Sequence, residues 1–166
     1  MPTSIAELRS RIDSEIKRVT GGVSVTNTIN KQRESQVRNE LAAQRTKNLK
    51  LLMLGNLLPL HTPLRIAEEL AVVDCISRGR VMAGFARGVP REYRVYNVPM
   101  SESRARFEEG MEIVLGAWTQ KLFSYEGKFW QHKDISIWPR PYQQPHPPIW
   151  VSTTTPGGAG RVGARF

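Results

Sequence analysis

A chain of 166 residues with 40% apolar content is long enough for one globular unit and excludes a wholly disordered polypeptide. Its formal charge of +9 is dispersed, with ten bases against five acids in residues 1–50 and fourteen against ten in the remainder. No run of five or more basic residues gathers that excess, which argues against a specific nucleic-acid surface.

Residues 5–19 place Ile5, Leu8, Ile12, Ile16 and Val19 at helical spacing with charges between them, predicting an amphipathic helix. The following GGVSVTNTIN breaks that helix and reads as a loop or a short strand. Residues 31–50 are polar, with helix formers up to Asn48. From Leu49 the text becomes LKLLMLGNLLPL, an apolar run that suits a strand buried on both faces, as in parallel sheets. Thr62-Pro63 then predicts a helix start, with Thr62 as cap and Pro63 at the first helical position. Its apolar face comprises Leu64, Ile66, Ala67, Leu70, Ala71 and Val73, and Gly79 supplies the left-handed stop. In SRGRVMAGFARG, residues 77–88, VMAGFA is the second buried strand and the arginines lie at its ends, because a charge inside such a strand would be costly.

A second helix is expected from Ser103, as its cap, to Gln120. Phe107, Met111, Val114, Leu115 and Trp118 form its stripe, with Glu108, Glu109 and Glu112 favoured by the helix dipole. FSYEGKFWQH reads as a hairpin turning near Glu126-Gly127. Five prolines between 139 and 148 hold the chain extended before IWVS, a further buried strand, and the loop STTTPGGAG. Two strand-helix units in series, both strands apolar, give an α/β fold class with parallel strands alternating with helices.

The single cysteine, Cys75, forms no internal disulfide and no metal cluster, and reads as a packing residue. The N-terminal MPTSIAELRSRID has charges where a signal peptide needs an apolar core, and no stretch approaches the roughly 18 apolar residues that span a bilayer. A cytoplasmic protein, with no membrane contact, is the expectation.

In parallel α/β folds ligands bind beyond the carboxyl ends of the strands. Three loops qualify: the strand end at Gly55-Asn56, the strand end at Ala86-Arg87-Gly88, and Thr153 to Gly158, whose hydroxyls and glycines suit a phosphate or form a plain turn. Arg78 and Arg80 are expected to be solvated or salt-bridged on the opposite face. Asp74 is expected to accept hydrogen bonds near the helix end at Ser77–Gly79. His61 reads either as facing a ligand or as capping backbone in a turn. His132 and His146 read as loop histidines, and Trp118, Trp130, Trp138 and Trp150 as core or subunit-contact groups.

From about Arg45 to Gly160 the chain resembles the bacterial luciferase-like flavin-dependent monooxygenases, a (β/α)8-barrel group. The motifs that carry the resemblance are LGNLLPLHTPLRIAEELAVVDCISRGR, GFARGVPREYRVYNVP, SESRARFEEG and PRPYQQPHPPIWV, in that order. The resemblance implies reduced FMN as cosubstrate, dioxygen as oxidant and a small organic substrate, with a flavin reductase as a possible partner and a homo-oligomer if the barrel is complete. Deazaflavin F420 is the alternative cofactor in the same superfamily.

Position by position, Gly55 and Asn56 match the strand end beside the isoalloxazine ring, where the family often has a non-prolyl cis peptide. Ala86 and Arg87 match the strand end whose arginine faces the flavin phosphate, and Arg104 matches a second phosphate-facing arginine. Thr154, Thr155 and Gly158 match a third phosphate wall. Eight strand-helix units need about 250 residues, so the resemblance implies an incomplete TIM-type barrel. Residues 1–40 form a partly helical segment without family resemblance, not expected to supply the first barrel strand, and residues 41–166 form the partial barrel. A truncated, noncatalytic fragment is the rival reading.

Overall fold

The computed structural model describes residues 28–153 together with residues 10, 14 and 160. The helix expected over 5–19, most of the GGVSVTNTIN segment and the loop from Thr154 to Gly158 lie outside the described residues. The described chain begins with α1 (Thr28–Arg45), so residues 40 and 41 fall within one helix.

The strand β1 (Leu51–Leu57) pairs in parallel with β2 (Val81–Ala86), and β2 with β5 (Ile149–Val151), giving the order β1-β2-β5. Between β1 and β2 run a 3-10 turn at Leu58–Leu60 and the helix α2 (Pro63–Ser77). After β2 come a short helix α3 (Pro90–Tyr96), a second 3-10 turn at Met100–Glu102 and the helix α4 (Ser103–Thr119). An antiparallel hairpin, β3 (Phe123–Glu126) and β4 (Gln131–Ile135), precedes the proline-rich strap that leads into β5. The hairpin turns where the sequence predicts. The helix α3 is an addition: Pro90 occupies its first turn, and Glu92 accepts the Val89 N–H at 2.8 Å, three residues back.

One face of the sheet makes the core. Leu51, Met53, Val81, Ala83 and Phe85 are buried against Ile66, Leu70 and Val73 of α2 and Phe107, Met111, Val114 and Trp118 of α4. Burying each large apolar side chain contributes about 1.5–3 kcal/mol. Trp118 is fully buried, and its indole N–H donates to the Ala67 carbonyl at 3.0 Å, so it joins α4 to α2. The other face differs from expectation. Leu52, Leu54 and Trp150 are exposed, so β1 and β5 are buried on one face and not two within the described residues.

Two helix ends depart from the sequence reading for a common reason. The first left-handed residue after α2 is Arg78 (φ 56°), with Gly79 (φ 80°) next, and the N–H groups of both return to the last turn. Arg80 is half-buried and, among the described residues, forms no salt bridge. Its guanidinium donates to the carbonyls of Ala43 (2.6 Å), Thr46 (3.0 Å), Leu49 (2.8 Å) and Ser77 (2.8 Å), and to the Thr46 hydroxyl (2.9 Å). One cation thus satisfies orphan carbonyls at the C-terminal ends of α1 and α2. Arg140 does the same for α4, donating to Trp118 O at 2.7 Å and Gln120 O at 3.0 Å. At the other end of α4 the cap is Glu102, without a side-chain capping bond, and Ser103 is the first helical residue.

Two acidic side chains hold the later segments in place. Glu109 accepts the N–H groups of Lys128 (2.6 Å) and Phe129 (3.0 Å), fixing the hairpin loop on α4; this is a contact that a dipole argument alone does not foresee. Asp74, fully buried, accepts the Gln143 N–H (2.9 Å) and side-chain amide (2.8 Å). Its carboxylate therefore anchors the proline strap, whereas the helix-end contacts use its backbone carbonyl.

Candidate functional site

The site is built at the carboxyl ends of β1 and β2. Met53 pairs with Ala83 and Asn56 with Phe85, so β1 carries one extra residue there, a bulge. Gly55 takes φ 102°, a conformation that a side chain strains, and open space surrounds the position of its missing Cβ. The bulge leans over β2: a Cβ on Gly84 would lie 2.8 Å from Leu54 Cα and 3.0 Å from Met53 O. Gly84 is therefore the residue that lets the two backbones approach.

The Asn56 side chain turns into the sheet. Its amide donates to Met53 O (2.9 Å) and Gly84 O (2.8 Å), filling the hydrogen-bond gap that the bulge leaves. The peptide bonds at Leu54–Gly55–Asn56 are trans; the cis peptides among the described residues are Trp138–Pro139 and Gln144–Pro145. Ala86 pairs with Leu57 at the end of the ladder, and Arg87 follows it into solvent.

Tyr93 of α3 gathers this end of the molecule. Its hydroxyl donates to the Arg87 carbonyl. Burial pushes its pKa up, while a hydrogen bond with Ser103 and the charges of Arg87 and Arg106 pull it down. The end of β2 and the first turn of α4 therefore meet at one buried ring. The first turn of α4 reads Ser103-Arg104-Ala105-Arg106, with no acidic residue, and Arg104 is exposed. Cations at a helix N-terminus oppose the dipole, and the carboxylate of Glu102, at the cap and 2.8 Å from Arg106 Nε, offsets part of that cost. Arg87 and Arg104 thus stand exposed, one after the end of β2 and the other in the first turn of α4. Ser152 donates its N–H to Phe85 O at 2.8 Å and so lies beside the end of β2.

The remaining sequence candidates separate. His61 lies half-buried after β1 with its ring edge-on to Tyr96 at 4.9 Å; burial lowers its pKa to about 4, and its Nε2 is buried without a hydrogen bond among the described residues. His146 stacks on Trp118, and Cys75 donates from Sγ to Arg140 O at 3.2 Å, both as packing groups of the strap. Trp138 and Trp150 are exposed, and Trp130 lies near Arg106 on the hairpin. Sequence reading missed Tyr93, whose signal was a Pro90 start and a Glu92 cap marking a helix, and Arg106, whose signal was a second arginine in a helix's first turn. Among the described residues no group of three or more His, Cys, Asp or Glu is placed to hold a metal, and no helix is long and apolar enough to cross a membrane.

A sequence model of the luciferase-like monooxygenases matches residues 33–165. The chain belongs to this family. Its fold is similar to a crystal structure of the monooxygenase RslO1 from Streptomyces bottropensis, with a TM-score of 0.73 and 37% identity over 79% of this chain and 40% of that one. It is 32% identical over 117 residues to the oxygenase component of a flavin-dependent trigonelline monooxygenase from Acinetobacter baylyi, covering 69% of this chain and 32% of that protein. It is 33% identical over 108 residues to an FMNH2-dependent dimethylsulfone monooxygenase from Pseudomonas putida, covering 61% of this chain and 28% of that protein. The luciferase-like chain thus spans about a third of the length of these curated relatives.

Proposed function

We propose that the chain is the flavin-binding part of a luciferase-like monooxygenase that uses reduced FMN and dioxygen on a small organic substrate, with the flavin supplied by a separate reductase. The observation that carries this reading is the meeting of Arg87 and the arginine-bearing N-terminus of α4 around Tyr93. Family membership and the FMNH2-dependent and oxygenase-component relatives support it. When bound, reduced FMN supplies the electrons with which dioxygen is activated, one oxygen atom passing to the substrate and the other to water.

The residues of this chain bind, orient and exclude water. Arg87 and Arg104 hold the phosphate through charge-assisted hydrogen bonds, and Thr154, Thr155 and Gly158 complete its wall. The bulge at Gly55 and Asn56 and the small Ala86 leave room for a flat ring at the strand ends, and the apolar Leu52, Leu54 and Trp150 line the open sheet face away from the helices. Acid–base work by a side chain of this chain has no part in the reading: His61 is held neutral at pH 7 by burial and is turned toward Tyr96. The barrel completed by further strand-helix units, as a homo-oligomer in the cytoplasm, is the setting proposed for this site. The test is to incubate the purified chain with FMN or with F420, desalt, and record the spectrum. Retention of FMN supports the reading; retention of F420 alone, or of neither, overturns it.

A further inference from the structure

A cavity of about 570 Å³ opens between the connection from β1 to α2, the first turns of α2, Gln36 of α1, Arg106 of α4 and Trp130 of the hairpin. Neither Arg87 nor Arg104 lines it. Its walls combine apolar Pro59, Leu60, Ile66 and Val98 with a small set of charges. Of these, Arg65 and Glu69 pair with one another at 2.8 Å, so Arg106 is the guanidinium of the lining whose acidic partner lies outside it. Glu102, which does not line the cavity, engages only Nε of Arg106, at 2.8 Å. Among the described residues the Nη atoms make no other hydrogen bond, and the guanidinium rests over Phe129 at 4.3 Å, with the Trp130 ring at 5.7 Å. A guanidinium held over a ring, with its Nη pair free of other hydrogen bonds among the described residues, is preorganised for a two-oxygen acceptor. His61 reaches the same lining with a buried Nε2, and the Tyr96 hydroxyl packed near it is likewise buried; neither atom has a hydrogen-bond partner among the described residues. Buried polar atoms in that state are costly unless a ligand or water completes them.

We propose that this cavity is a second ligand site, which takes a small monoanionic organic acid with an aromatic body, its carboxylate on the Nη atoms of Arg106 and its ring beside Trp130. The two Nη atoms match the two oxygens of one carboxylate, and the apolar walls match a ring. His61, held neutral by burial, offers its Nε2 as a hydrogen-bond donor to the carboxylate or to a water beside it. The inference stands on this cavity alone and does not depend on flavin binding at the strand ends.

The probe is 2-naphthoate, with 2-naphthamide as its uncharged counterpart, titrated calorimetrically into the whole chain at constant ionic strength. The acid is expected to bind at least tenfold more tightly than the amide. Arg106→Gln should abolish that preference while leaving the affinity for the amide unchanged, and Trp130→Ala should weaken both. Inorganic phosphate in excess, balanced against chloride, should not displace the acid. Equal affinity for acid and amide, no binding of either, or displacement by phosphate would each overturn the proposal. The comparison of acid with amide needs no variant, so it decides the matter even if Arg106→Gln fails to fold.

Discussion

The Asp74 carboxylate and Gln143 are joined twice, through the Gln143 backbone N–H at 2.9 Å and its side-chain amide at 2.8 Å, and the same amide donates to Val81 O at 2.9 Å. One buried acid thereby ties the proline strap to the end of α2 and the start of β2. In Asp74→Asn a single acceptor oxygen replaces two, and an NH2 group faces a donor. The expected loss is about 1.5–3 kcal/mol, the range for hydrogen bonds to charged groups. Equilibrium urea unfolding checks it; a change under 0.5 kcal/mol would show the contact to be incidental.

Arg80 is expected to act on stability and not on ligand binding. Arg80→Lys keeps the charge but cannot reach the four carbonyls and one hydroxyl that the guanidinium fork now spans. A loss of about 2–3 kcal/mol should follow, with the urea midpoint lowered. Arg78→Gly should move the midpoint the other way, by up to about 1 kcal/mol, because a non-glycine residue at φ 56° is strained.

At the bulge, Gly84→Ala should cost about 1–3 kcal/mol, since its Cβ would meet the backbone of Leu54 and Met53, which cannot swing aside as a side-chain tip does. Gly55→Ala meets open space and suffers only from its φ of 102°, so its cost should be about 1–2 kcal/mol. The two separate in flavin affinity: Gly84→Ala displaces the bulge and weakens binding, whereas Gly55→Ala leaves the sheet in place. Paired unfolding and flavin titrations measure both.

His61 makes stability depend on pH in a defined window. Its folded-state pKa of about 4 lies below the ordinary 6.5, so the unfolded chain takes up a proton that the folded chain refuses. No penalty exists above pH 6.5; it grows as pH falls toward 4 and is complete below that. Tyr96 faces the ring, and Arg65, Glu69 and Arg106 share its cavity. Wild type should therefore lose more stability between pH 7 and 4.5 than His61→Gln, compared by urea unfolding at the two pH values. Equal losses would contradict the burial argument.

The elements that announce themselves locally were legible. The apolar runs of β1 and β2, the Thr62-Pro63 start of α2, the stripe of α4 and the hairpin turn all follow from spacing and turn chemistry, and the order of motifs pointed to the family. What was not legible depends on contacts distant in sequence. Arg80 reads as a surface charge until Ala43 and Leu49 are brought beside it, and Asp74 reads as a helix-end acceptor until Gln143 arrives 69 residues later. The exposure of Leu52 and Leu54 was hidden because an apolar run records what a strand is suited to pack against, not what covers it in this chain. In the site, Arg87 and Arg104 were singled out by resemblance; Tyr93, which joins the Arg87 carbonyl to Ser103 at the start of α4, lay within a quoted motif but carried no signal of its own.

Equilibrium binding of FMN and riboflavin to the chain completed with the further strand-helix units of the barrel, and to three variants of it, tests the central claim most directly, the claim that the end of β2 and the start of α4 hold a flavin phosphate. Arg87→Ala and Arg104→Ala should each weaken FMN binding by roughly ten- to a hundredfold, because each arginine contributes about 1.5–3 kcal/mol and about 1.4 kcal/mol is tenfold. Riboflavin, which lacks the phosphate, should bind all of them with nearly one affinity, and Arg78→Ala should leave FMN binding unchanged. If Arg78→Ala weakens FMN as much as Arg87→Ala does, or if FMN binds no more tightly than riboflavin, the arginines form a diffuse basic surface and the site assignment is contradicted.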